Sequence, residues 1–171
     1  MDEERRQEKE ERTMQQRIAT RLIMGVAITA IGMFAADSSI GTWKRNIAKS
    51  KGTPAIANPI KSFTLVNEAM DGGGVTLTAN GERQDGTLIH GGGSYKYDGK
   101  QYESTGAPWD TTSMKQINAN TFTFDNKKTG GKYHTTGRTV ISKDGKTMTT
   151  RVKGINTEGK PTISTTIYDK Q

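Results

Sequence analysis

The residues equipped for chemistry are few, and their spacing argues for binding rather than catalysis. His90 and His134 are the only histidines, 44 positions apart, and neither has an Asp or Glu at metal-ligand spacing. Cysteine is absent, which removes disulfides, thiol nucleophiles, zinc–thiolate sites and a lipidated cysteine together. Gly154 to Lys160 opens like a phosphate-binding loop, yet Pro161 stands where that loop needs Ser or Thr. Gly91-Gly92-Gly93 has no helix behind it to present N–H groups to a phosphate. Glu103 and Asp110 are the one carboxylate pair to weigh, and solvation on a strand face and in a loop accounts for both. No nucleophile elbow occurs. The pattern therefore predicts no catalytic set, no metal and no cofactor.

Two sets of binding side chains remain. One is aromatic: Tyr95, Tyr97, Tyr102, Phe122, Phe124 and Tyr133. The other is cationic: Arg138, Arg151 and Lys153. Both need a scaffold, and the turns supply the clue to it. From Lys61 onward, short alternating segments are punctuated by Asp71-Gly72, Asn80-Gly81, Asp85-Gly86, Asp98-Gly99, Thr129-Gly130, Asp144-Gly145 and Glu158-Gly159. Ten strands follow, near 41–46, 61–68, 74–80, 88–97, 100–104, 113–117, 121–126, 132–142, 147–155 and 162–169. A single turn is expected at Ile47 to Lys51, before Pro54 and Pro59 extend the chain.

Folding at Asp98-Gly99 sets Tyr95 opposite Tyr102 on an aromatic face. Folding at Asp144-Gly145 sets Ile141 opposite Met148 and Arg138 opposite Arg151. A two-residue turn at Glu158-Gly159 sets Val152 opposite Thr165 and Gly154 opposite Ile163, leaving Tyr168 outward. The expected inward set also includes Phe63, Leu65, Val75, Leu77, Ile89, Val152, Ile163 and Ile167. Eight to ten such antiparallel strands close into an up-and-down β-barrel, the predicted all-β fold class. Gly91-Gly92-Gly93 falls where a barrel needs a bend or close backbone approach. Inside, the tyrosines either satisfy one another or line a cavity for a partly polar ligand. Outside, the opposed arginines with Lys153 form a candidate anion patch.

The chain of 171 residues is 31% hydrophobic, has 20 glycines and carries a net charge of +7, which suits half-wet strands over a single core. Residues 1–36 hold six basic and six acidic side chains, so the excess lies in the remaining 19 against 12. Such a surface attracts anionic polymers or headgroups. Nucleic acid is not expected, because no exposed aromatic platform accompanies the charge.

Gly41-Thr42-Trp43-Lys44 resembles the G-x-W element on the first strand of the calycin superfamily, the lipocalins and fatty-acid-binding proteins. More closely, the chain is similar to small exported bacterial lipocalin-like domains that run from a GTWK-type start to a YDKQ-type end. The resemblance implies that Trp43 plugs the closed end of the barrel. It also implies a small hydrophobic or amphipathic ligand in the lumen and no enzymatic activity. The second and third lipocalin motifs have no counterpart, and the Arg-x-Tyr carboxylate pair of the fatty-acid-binding proteins is missing, so fatty-acid binding is not carried over.

Residues 1–13 form a charged extension read as an upstream misreading of the start, with Met14 as the true initiator. Residues 14–36 show the basic, apolar, small-residue order of a secretory signal peptide, with Arg17 and Arg21 ahead of the uncharged run Leu22 to Ala36. That run is shorter than the ~20 residues needed to span a bilayer. Cleavage is expected after Gly32 or near Ala35 and Ala36. The barrel domain, 37–171, would then be periplasmic or extracellular, with no stable membrane span.

Overall fold

The computed structural model describes residues 37–55 and 58–171; the segments read from the sequence as a charged extension and a signal peptide lie outside the described residues. Within them, alternating apolar and hydroxyl-bearing residues form eleven strands, and no helix is present among the described residues. They are β1 (Gly41–Arg45), β2 (Lys51–Thr53), β3 (Ile60–Ala69), β4 (Val75–Arg83), β5 (Leu88–Tyr95) and β6 (Asp98–Glu103). The rest are β7 (Thr111–Asn118), β8 (Thr121–Lys127), β9 (His134–Ile141), β10 (Thr147–Ile155) and β11 (Pro161–Lys170). Ten of them follow the order β5-β4-β3-β1-β11-β10-β9-β8-β7-β6, all antiparallel, while the short β2 adds to β11 beside that path.

The two ends of this sheet meet, which makes it a nearly closed barrel. Gly92 donates its N–H to the Thr105 carbonyl at 3.0 Å and accepts from the Thr105 N–H at 2.9 Å. This one bridge keeps the register implied by a turn at Asp98-Gly99, but no ladder runs from it toward that turn. A Cβ on Gly91 would strike the Thr105 carbonyl oxygen, and one on Gly92 would strike that of Leu77. The glycine triplet therefore serves as the close-approach seam its position implies. By contrast, Asn80-Gly81 is not a turn. β4 runs straight through it, and Gly81 makes room for Phe63 on the neighbouring strand.

The register of β9 with β10 is the one read from the sequence, with Met148 opposite Ile141 and Arg151 opposite Arg138. The register of β10 with β11 is not. Val152 faces Ser164 and Met148 faces Tyr168, one residue away from the expected pairing. The cause is the connection. Gly159 takes φ +85°, and Asn156 donates its N–H to the Lys160 carbonyl at 2.9 Å. The Asn156 side chain also accepts from the N–H groups of Glu158 and Lys160. Three residues are thereby enclosed where two were expected, and every side chain of β11 changes face. Tyr168 turns inward and is buried, while Ile163 turns outward and is 62% exposed.

The packed core is small and sits at one end. Trp43, Phe122, Ile141, Met148 and Tyr168 are buried together, with Phe63, Leu65 and Tyr97 against them. Residues 37–40 fold across this end. The Trp43 indole donates to the Ser39 carbonyl at 2.7 Å, and Asn67 donates to the same oxygen at 3.0 Å. Tyr168→Ala should lower the unfolding free energy by about 3–5 kcal/mol, the usual loss for a large buried side chain. Ile163→Ala should change it by no more than about 0.5 kcal/mol. Urea unfolding measures both, and the reverse order of effects would restore the two-residue turn.

Candidate functional site

Strand parity decides what faces the lumen. The middle of the barrel is lined by Leu77, Ala79, Ile89, Phe124, Val152, Thr139, Thr150 and Thr166, all of them only partly buried. Full burial is confined to the Trp43 end and to a polar row elsewhere on the wall. In that row the Tyr95 hydroxyl meets Ser104 at 2.9 Å, Ser104 meets Thr112 at 2.8 Å, and Thr112 donates to Asn126 at 2.9 Å. The inward side chains of the middle are thus less enclosed than those at the Trp43 end.

The aromatic candidates divide between wall and lumen. Tyr95 heads the polar row just described. Tyr97 packs on Phe122 with ring centroids 5.2 Å apart and donates its hydroxyl to the Asp37 carboxylate at the plugged end. Tyr102 donates to Asp98 at 2.9 Å. Tyr133 stacks on Trp109 at 5.4 Å and accepts from Thr135. All four phenols have protein partners, and Phe122 lies in the core. Phe124, inward and partly buried, lays its ring over Gly137. Trp43 is completely buried, beneath the Lys170 ammonium 5.1 Å from its ring centroid. Arg138, Arg151 and Lys153 stand together on the outer face, the two arginines directly opposed.

The lumen also holds a residue that the sequence reading passed over. Arg45 follows Trp43 by two positions and pairs with Tyr168, so it shares their inward face. Its Nε is buried with no hydrogen-bond partner, and among the described residues it makes no ion pair. Glu68, Glu82, Glu103, Asp125 and Asp169 all fall on the outward parity of their strands, and Asp98, beside the register shift of β6, accepts from the Tyr102 hydroxyl and the Lys100 N–H. The other inward arginine, Arg83, is held by the Asn58 carbonyl at 2.8 Å. The signal was available in the sequence: Arg45 lies two residues along the strand from a tryptophan already assigned inward. Among the described residues, no three His, Asp or Glu side chains converge on a metal-sized space, and no helix is long and apolar enough to cross a membrane.

Burial pushes the Tyr168 phenol up to about 12, partly offset by the nearby Arg45 charge. Tyr97 is raised too, first by burial and then by the Asp37 carboxylate.

The strand order and the Gly92–Thr105 bridge define a nearly closed, all-antiparallel β-barrel. Among solved structures it is similar to the fluorescent protein UnaG, with 12% identity, a TM-score of 0.51, and coverage of 78% of this chain and 97% of that one. An asparagine-to-alanine variant of UnaG gives 13%, 0.53, 78% and 96%. The mFAP2b structure bound to DFHBI gives 14%, 0.44, 80% and 97%. No protein-family model and no curated protein matches the chain. At such identities the likeness to UnaG establishes the fold alone.

A tyrosine whose folded-state value lies above its unfolded value of 10 stabilises the fold fully below pH 10 and loses that contribution as pH rises toward the folded value. Unfolding free energy should therefore fall between pH 10 and about 12, by about 1.4 kcal/mol per pH unit for each such tyrosine. Tyr168→Phe should flatten the fall, as followed by urea unfolding at stepped pH.

Proposed function

We propose that this protein is an exported, non-enzymatic barrel that binds a small amphipathic ligand in its lumen, with an anionic end of the ligand on Arg45. The observation that carries the reading is the guanidinium itself. Arg45 is half-buried with its Nε enclosed and without a hydrogen-bond partner, and an anion arriving from outside would supply the missing acceptor and counter-charge. The inward faces of the strands also carry Phe63, Leu77 and Phe124 as apolar surface and Thr166 beside the hydrogen-bonded Thr139–Thr150 pair as hydroxyls. That is the mixture a carboxylate, sulfonate or phosphate with an apolar body requires. Export rests on the signal-peptide order of residues 14–36 and leads to a periplasmic or extracellular setting.

A pair of dyes with one scaffold tests the site: 8-anilinonaphthalene-1-sulfonate carries an anion, and N-phenyl-1-naphthylamine does not. Both should bind the purified protein with enhanced fluorescence. Arg45→Gln should weaken the sulfonate roughly tenfold or more while sparing the neutral dye, since it removes a charge-assisted contact. Leu77→Trp, which fills the lumen, should weaken both. Equal effects of Arg45→Gln on the two dyes, or no binding of either, would overturn the reading.

A further inference from the structure

A groove of about 680 Å³ crosses the outer face of β7 to β11, at right angles to the strands. Its floor is strand backbone around Gly137 and Val152. Its walls are the outward side chains one residue to either side. One wall carries Lys115, Arg138 and Arg151, aligned through Thr123 of β8. The facing wall carries Asp125, Lys153 and Ile163, the last exposed by the β11 register. None of the four cations has an ion-pair partner among the described residues. Asp125 supplies no compensation, because its carboxylate is held by His134 Nε2 at 3.0 Å and Lys127 Nζ at 3.4 Å. Two arginines directly opposed on adjacent strands repel each other unless an anion lies between them.

We propose that this groove binds a linear polymer with phosphate in its backbone: a phosphodiester-linked polyol. Three features of the groove select that chemistry. Guanidinium pairs match phosphate oxygens in a planar, two-pronged fashion. The groove runs across the strands, so an acidic peptide lying along it would have no ladder to extend. The only aromatic in its lining, Phe124, lays its ring on the inner face over Gly137, leaving nothing outside for a nucleic-acid base to stack on. From Lys115 to Arg151 the wall spans three strand spacings, about 14 Å, room for successive charges of one chain. The lumen site on the other side of the sheet is not involved.

Fluorescence anisotropy with labelled synthetic poly(glycerol phosphate) and the full chain tests the groove. Arg138→Gln with Arg151→Gln should weaken binding about tenfold and lower the slope of log K against log salt by about two. Lys44→Gln, an exposed cation on the outward face of β1, should leave both unchanged. Thermal melts confirm that each variant folds. Three outcomes would overturn the assignment. These are equal affinity for an oligothymidylate of matched charge, equal loss on Lys44→Gln, and full displacement of the polymer by millimolar inorganic phosphate.

Discussion

A fully buried indole must give its N–H to something, and here that requirement organises one end of the molecule. Trp43 donates to the Ser39 carbonyl, which also accepts from Asn67 of β3. The segment before β1 is thus drawn across the barrel end, where Asp37 receives the Tyr97 hydroxyl and Ser38 donates to the Ala119 carbonyl at 2.7 Å. β1 itself pairs with β3 on one side and β11 on the other, so it joins the two halves of the chain. Phe122, Ile141, Met148 and Tyr168 then have a common surface to pack on. With the apolar packing concentrated there, the middle of the barrel is left without a solid core.

That division has an electrostatic consequence. Most strand carboxylates fall on the outward parity, while Arg45 projects inward and makes no ion pair among the described residues. On the outside, Lys115, Arg138, Arg151 and Lys153 line one groove over the outer face of the sheet. Each wall of the sheet therefore presents positive charge, through different residues and to spaces that do not communicate through the strand backbone. A low aromatic content is enough for such a molecule, because one plugged end and hydrogen-bonded strands hold the shape while hydroxyls keep the remaining surfaces wet.

Much of the fold was legible because turns and alternation are local. The ten barrel strands, the β9–β10 register and the seam role of Gly91-Gly92-Gly93 follow from residues close together in the chain. The failures were local too. Gly81 looked like half of a hairpin turn, but the space it vacates is filled by Phe63, a residue whose place on β3 no dipeptide rule contains. Glu158-Gly159 looked like a two-residue turn, but the Asn156 side chain caps two N–H groups and encloses a third residue. Because side chains alternate, that single residue moved Tyr168 into the core and Ile163 into solvent.

The aromatic set shows the same limit at the level of the site. The sequence by itself determined the all-β class, the β9–β10 pairing and with it the opposition of Arg138 to Arg151, because these depend on periodicity and on short connections. It could not say which of the tyrosines would face open space, since Tyr95 and Tyr97 meet Ser104 and Asp37 only after the elements are assembled, while Tyr102 and Tyr133 turn to the nearby Asp98 and Thr135. Nor could it show that Arg45 would meet no acid. That fact belongs to the whole lumen at once, and only closure of the sheet brings the inward residues of ten strands into one space where charge can be counted.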